Sequence, residues 1–353
     1  MGGTVRYAVE LVKHWLLFRN FKMIIYIQTG VNAFSSPEFE EIPRREFQIK
    51  GGLLGRVFFE HAILPFVVQK DGVDLLFSPG FVSPLWGSFR KVVTIHDLYY
   101  RLFPDFVRPW QRRYWQIFIP LSMAAVDAVV ADSDSTSNDV KNAFPKLGHK
   151  VKRVHLGANA LLSGDNNYFD EKEIPYCLVV GNITPNKNIE TVLKAVSLRN
   201  GMGESVKLVI AGHDPFGLLE DCMDSYQSTI QVDMRTHVSD SELGWLYANA
   251  LCLIQASHYE GFGLPVIEAM QVGCPVIASD IPVMREIGND AAIYFSPDSP
   301  NELSQNISRM LNDPALRQSL IEQGKCNAEI FSWEKTAKET AELFDAVLRN
   351  TAN

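Results

Sequence analysis

The chain is 353 residues long, too long for one compact core, so two domains of about 150 residues each are expected. With 46% hydrophobic and 21% charged residues it has the composition of a globular protein, and a formal net charge of −8 argues against a nucleic-acid partner. Five scattered cysteines, with no CxxC, read as reduced core residues of a cytoplasmic protein and not as a disulfide framework or a zinc site. No apolar run reaches the ~20 residues of a membrane span. The opening "MGGTVRYAVELVKHWLLF" carries charge inside its apolar stretch and lacks a small-residue cleavage site, unlike a secretory leader.

Residues Thr4 to Asn20 show helical periodicity, with Val5, Val9, Val12 and Leu16 on one side. Short apolar runs then alternate with helical stretches: "MIIYIQ", "VDLLFSP", "KVVTIHD", "DAVVADS" and "KVKRVHLG". Such alternation predicts a parallel sheet in a layered α/β domain. A glycine loop, "MGGTVRY", precedes all of these. Either a strand lies upstream of Met1 or this domain lacks its first strand. A polar segment, "NALLSGDNNYFDEKEIP", reads as the interdomain connection, after which the pattern restarts. "YCLVVGN", a helix from about Lys187 to Leu198, "VKLVIAGH", "IQVDM", a helix from about Asp240 to Ala250, "CLIQAS", "PVIAS" and "AAIYFS" follow in turn. The last segment, "FSWEKTAKETAELFDAVL", has Ser332 placed as an N-cap and an apolar face of Trp333, Ala337, Ala341, Phe344 and Leu348. The expected organisation is therefore domain 1–160, domain 161–331, and a helix over 332–353 that packs back on the first domain.

"HYEGFGLPVIEAM" follows the strand "CLIQAS" and leads into a helix from about Pro265. In open α/β sheets ligands bind beyond the carboxyl ends of the strands. Gly261 and Gly263 remove side chains from the turn, so backbone N–H groups can approach an anion, and the helix N-terminus adds its positive dipole end. Pro265 suits the first helical turn. Glu260 before this anion site and Glu268 inside the helix are placed to accept hydroxyl hydrogens. Pyrophosphate flanked by two hydroxyl-rich groups is a nucleotide-sugar. Spacing alone leaves the bland alternative open, in which an early-helix glutamate is a solvated charge balancing the dipole.

"EGFGLPVIEAMQVGCPVIASD" resembles the E-x7-E signature of retaining glycosyltransferase family 4, of which bacterial surface-polysaccharide enzymes are one type. "KVVTIHDLYYRLFPD", "VVGNITPNKNIETVLKA", "VKLVIAGH", "HVSDSELGWLYANA" and "FSWEKTAKET" resemble further blocks of that family, in the same order, so the likeness spans the chain from Gly2 onward. It implies the GT-B fold, two Rossmann-like parallel-sheet domains facing across a cleft. Glu260 would hold the donor sugar, Glu268 the ribose, and the backbone of Gly261, Phe262, Gly263 and Leu264 the phosphates. Lys187 matches the pyrophosphate lysine, next to Gly181 and Asn182; relatives often carry arginine where this chain has Asn182. His96 would act at the reacting sugar, Gly2 and Gly3 would close over phosphates or acceptor, and Val238 would meet the base. Catalysis is thus assigned to Glu260, His96 and Lys187.

Two other patterns compete. Asp132-Ser133-Asp134 is a D-x-D after a strand, the form in which other glycosyltransferases hold a cation; here Asp134 or Ser135 is expected to cap the next helix instead. "GGTVRY" lacks the third glycine of a dinucleotide loop. The expectation is a metal-independent, cofactor-free hexosyltransferase using a UDP- or GDP-sugar of glucose or mannose type. Its acceptor would be a saccharide or lipid-linked saccharide. The rivals are an epimerase or phosphorylase of the same fold and an inactive donor-binding subunit. "FVRPWQRRYWQIFIP" mixes Arg108, Arg112 and Arg113 with Trp110, Tyr114 and Trp115, which suits peripheral contact with an anionic membrane at its inner face, or else an ordinary helix with its aromatics turned inward.

Overall fold

The computed structural model describes residues 3–18, 21–158, 174–226 and 228–349. Contacts divide the chain into two compact units, Met1–Gly157 together with Trp333–Asn353, and Ala158–Ser332. The expected roles of Gly2 and of the linker over 159–173 lie outside the described residues.

The described residues of the first unit begin with helix α1 (Gly3–Phe18), so Gly3 lies in a helix and not in the expected loop. Two faces of α1 are used. Tyr7, Leu11 and Trp15, spaced i, i+4, i+8, are the fully buried ones. Val5, Val9, Val12 and Leu16 pack half-buried against Ile25, Phe34 and Phe39. Strand β1 (Ile25–Gln28) pairs in parallel with β2 (Arg44–Phe47) in a separate two-stranded sheet. Then come α2 (Gly52–Phe58), a π-helical turn over Phe59–Ile63, α3 (Leu64–Lys70) and β3 (Leu75–Ser78). The unit continues with β4 (Arg90–Ile95), α4 (Tyr99–Leu102), α5 (Pro109–Ala125), β5 (Ala128–Ala131), α6 (Asp134–Ala143) and β6 (Val151–Arg153). Strands β3 to β6 form a parallel sheet in sequence order. Val92, Val93, Ile95, Val129 and Val130 are fully buried, as both-face burial of a parallel sheet requires. The carbonyls at the end of α5 are capped by Lys150, whose Nζ donates to Met123, Ala124 and Val126.

The second unit holds β7 (Tyr176–Val180), α7 (Ile189–Gly201), β8 (Lys207–Ala211), α8 (Leu218–Met223), β9 (Val232–Arg235) and α9 (Asp240–Asn249). After them come β10 (Cys252–Gln255), α10 (Leu264–Val272), β11 (Val276–Ser279), α11 (Pro282–Gly288), β12 (Ile293–Phe295), α12 (Pro300–Asn312) and α13 (Pro314–Ala328). Its six parallel strands run β12-β11-β10-β7-β8-β9. That is the doubly wound order, which reverses between β7 and β10 and so opens a crevice at their carboxyl ends. Cys177, Cys252 and Cys274 are buried in this unit; Cys326 is exposed, which corrects its reading as a core residue.

Helix α14 (Trp333–Arg349) returns the chain to the first unit. Trp15 Nε1 donates to the Ala337 carbonyl at 2.9 Å, and Phe344 meets Trp15 and Phe77. Its buried face is Trp333, Thr336, Ala337, Thr340, Phe344 and Val347. Leu348, expected inside, is exposed.

Candidate active site

The crevice of the second unit is built by close backbone approach. β7 runs into Gly181, whose φ of +114° suits glycine. A Cβ on the facing Gly212 would lie 2.0 Å from the Gly181 carbonyl oxygen, so the end of β8 has no room for a side chain there. Asn182 Oδ1 accepts from the His213 N–H at 3.3 Å. A 3₁₀ turn, Pro185–Lys187, then precedes α7.

That turn is laced to the loop after β10. Asn186 Nδ2 donates to the Tyr259 carbonyl at 2.9 Å, and the Asn186 carbonyl accepts from the His258 N–H at 2.7 Å. Asn188 takes the left-handed conformation, and its Nδ2 donates to the carbonyls of Ala256 and Pro297. The consequence is an ion pair: Lys187 Nζ donates to Glu260 Oε1 at 2.5 Å. Gln255 Nε2 and Ser257 Oγ donate to the same oxygen at 2.9 and 2.7 Å. None of these three donors reaches Oε2. The Glu260 side chain is only 15% exposed, so its pairing offsets the cost of burying charge.

Glu268 lies in the second turn of α10, 3% exposed, where Oε2 accepts from the Tyr247 hydroxyl of α9 at 3.1 Å. Gly263, with φ +108°, occupies the N-cap of α10 and has no side chain to cap it. Phe262 is buried edge-on against Phe331, so its side chain is packing. Val238 is half-buried, just ahead of Ser239, which caps α9 by accepting from Glu242. Gly181, Asn182, Lys187 and Glu260 thus come together at the β7–β10 reversal, while Glu268 and Val238 belong to the α9–α10 side of the same unit. Gln255, Ser257, Asn186, Asn188 and Tyr247 were missed. A glutamine in the apolar run "CLIQAS" was a usable signal; Tyr247 within a helix gave none.

In the first unit His96 follows β4. Its Nδ1 lies 2.6 Å from Asp132 Oδ2, and its Nε2 lies 2.8 Å from the Pro79 carbonyl. Burial pulls its pKa down, but Asp132 and Asp97 outweigh that and hold it above the ordinary histidine value. The D-x-D pattern resolves into separate roles: Asp132 pairs with His96, and Ser133, not Asp134 or Ser135, caps α6 by accepting from Thr136.

Residues 1–160 match the model "Glycosyltransferase Family 4" and residues 165–326 match "Glycosyl transferases group 1". The chain is a family 4 glycosyltransferase. It is 24% identical to O-antigen chain mannosyltransferase B of Escherichia coli, an alignment covering 98% of this chain and 96% of that protein. With O-antigen chain mannosyltransferase RfbU of Salmonella typhimurium it shares 29% identity, over 59% of this chain and 57% of the relative. An alignment with the longer serotype-specific mannosyltransferase WbdA of Escherichia coli covers 71% of this chain but a third of that protein. Among solved structures, a sucrose-phosphate synthase from Thermosynechococcus elongatus superposes with a TM-score of 0.77 at 21% identity, covering 99% of this chain and 94% of that one. WaaG, a glycosyltransferase involved in lipopolysaccharide biosynthesis, gives 0.73 at 16%, covering 97% and 96%. These likenesses establish the fold: this family 4 glycosyltransferase consists of two Rossmann-like units of the GT-B type.

Proposed function

We propose that this glycosyltransferase moves a hexosyl group, mannosyl in first place, from a nucleoside-diphosphate sugar to a hydroxyl of a saccharide or lipid-linked saccharide in bacterial polysaccharide assembly. The observation that carries this is the Lys187–Glu260 pair at the reversal of a doubly wound sheet, beside a glycine-capped helix that holds a buried glutamate. Phosphate oxygens fit the Gly261–Leu264 backbone and the α10 N-terminus. Glu260 accepts sugar hydroxyls, Glu268 a ribose hydroxyl, and Lys187 neutralises the charge growing on the departing diphosphate. His96 contacts the reacting sugar. Mannose is preferred because several curated relatives carry mannosyltransferase names.

The reaction we assign is retaining and needs no metal. The bond from the anomeric carbon to the diphosphate oxygen breaks and the diphosphate leaves with the electron pair. The acceptor oxygen bonds to that carbon from the same face, and its proton passes to a phosphate oxygen. Positioning and electrostatics supply the rate.

Thermal stabilisation by GDP against UDP tests the donor base, since a ligand binding the native state raises the midpoint. Turnover of GDP-mannose and UDP-glucose then tests transfer. GDP is expected to stabilise more and GDP-mannose to be consumed in excess EDTA. Activity abolished by EDTA and restored by manganese or magnesium would overturn the metal-independent reading. Tight nucleotide binding with no turnover of any nucleotide-sugar would favour a binding subunit.

The first unit also supports contact with an anionic membrane from the cytoplasmic side. The helical stretch Gly52–Lys70 is 19 residues long, long and apolar enough to cross a bilayer by length and composition. We read it as lying on the surface: its Glu60 accepts from the Tyr114 hydroxyl of α5 at 2.6 Å, and His61 stacks on Phe118 of α5. Leu54, Phe58 and Phe66 are left 81%, 63% and 64% exposed.

A further inference from the structure

β4 and β5 pair in register up to Ile95 and Ala131, so the next residues, His96 and Asp132, emerge side by side at the carboxyl end of the sheet. A backbone carbonyl only accepts, so the Nε2 that faces Pro79 carries a hydrogen. An ionised carboxylate also only accepts, so the Nδ1 facing Asp132 carries one as well. With both nitrogens facing acceptors, an ionised Asp132 makes the ring an imidazolium. Packing fixes its plane: Tyr7 and Phe81 meet it edge-on at 5.1 and 5.6 Å, and Thr136 Oγ1 donates to the His96 carbonyl.

The charged and titratable groups facing the ring are Asp132 from the end of β5, Asp97 next in the chain, and Tyr7 from α1. Burial pushes the Tyr7 hydroxyl far up, so it stays neutral and bonds Thr94. Asp132 is almost fully buried, and its other oxygen, Oδ1, has no hydrogen-bond partner among the described residues. An unsatisfied buried carboxylate oxygen is costly, and an apolar pair in this place would avoid that cost. That cost sets a reason beyond stability for keeping the pair, namely to keep charge on His96.

We propose that Asp132 is a positioning residue of the transfer reaction, holding His96 as a fixed imidazolium with both ring nitrogens protonated, so that the ring offers no proton acceptor. This rests on the assignment of His96 to the reacting sugar. It fits a reaction whose proton goes to a phosphate oxygen and which therefore needs no side-chain base.

Asp132→Asn separates charge from geometry. The asparagine amide can donate to Nδ1 while Nε2–H stays on the Pro79 carbonyl, leaving the ring in place but neutral. With nitrogen-15-labelled histidine, and His96→Gln used to assign the signal, wild-type His96 should carry two ring protons at pH 7.5 and the Asp132→Asn variant one. In the variant kcat should fall by about tenfold or more at pH 7.5, and it should recover as pH is lowered and His96 protonates; the wild type should stay flat from pH 6 to 8. Asp132→Glu should restore much of the rate. A wild-type ring with one proton, or a neutral-ring variant with undiminished kcat, overturns the proposal. Should Asp132→Asn fail to fold, the wild-type spectrum alone decides. A protein that turns over no nucleotide-sugar yet shows a doubly protonated His96 sinks the transferase reading while leaving the charge pair intact, so the two failures are distinguishable.

Discussion

Glu260 and Glu268 differ in what surrounds them, and that difference predicts different losses. Glu260 Oε1 is held by Lys187, Gln255 and Ser257, beside the turn that we assign to the sugar. Glu260→Gln should cut turnover by roughly a hundredfold or more while calorimetry shows nucleoside-diphosphate affinity little changed. Glu268→Ala should weaken the diphosphate itself. It also removes the Glu268 acceptor from the buried Tyr247 hydroxyl, at a stability cost of about 1–3 kcal/mol. Loss of the diphosphate by Glu260→Gln with retention by Glu268→Ala would reverse the two assignments. His96 gives a pH prediction. Its folded pKa is raised, so its stabilising contribution is complete below the unfolded value of about 6.5 and disappears as pH rises through the folded value. Chemical denaturation at steps above pH 6.5 should show wild type losing stability relative to Asp132→Asn, and parallel curves would remove the charge assignment. The glutamates were legible because glycine, proline and carboxylate types cluster in one short loop. The His96–Asp132 pair was not, since 36 residues separate its members and only strand register joins them.

At the scale of elements, strands that are buried on both faces announced themselves as apolar runs, and β4, β5, β7, β8, β10 and β11 stand where those runs are. β2, "RREF", carries three charged residues in four and pairs with β1 in a two-stranded sheet, so no apolar pattern marked it. α1 was read by its valines, yet its deepest contacts are Tyr7, Leu11 and Trp15, a second face at the same helical spacing. The terminal helix was legible in period but not in detail: Thr336 and Thr340 are buried because their hydroxyls find the carbonyls of His155 and Thr336. This helix should be indispensable to the first unit. Phe344 packs among Trp15, Phe21 and Phe77, and Trp333 lies against Tyr7. Phe344→Ala should cost about 3–5 kcal/mol in denaturant unfolding. Leu348→Ala, on the exposed side, should change little. Equal effects of the two would mean that α14 does not hold the unit through this face.

For the molecule as a whole, a net charge of −8 predicts repulsion from an anionic bilayer, so attachment has to come from a local surface. The first unit offers one. On α5, Trp110, Arg113, Ile117 and Leu121 are exposed, with Arg108 just before the helix, while Tyr114 turns inward. The π-helical turn packs against α5 through Glu60 and His61, and α2 leaves Leu54 and Phe58 outward; Trp86, half-exposed, meets Phe66 edge-on. Basic side chains near an anionic surface contribute about 1 kcal/mol each, and interfacial aromatic and aliphatic groups add burial that salt does not screen. The two parts are separable. In sedimentation with vesicles of anionic lipid, wild type should pellet at low salt and be partly released by high salt. The triple change of Arg108, Arg112 and Arg113 to Gln should weaken binding most at low salt. Leu54→Asn with Phe58→Asn should abolish the salt-resistant fraction while leaving consumption of a soluble acceptor unchanged. If all three proteins stay in solution, or if wild type instead sediments as a dimer whose formation those asparagines block, this surface meets another protein copy and the acceptor reaches the enzyme without the bilayer.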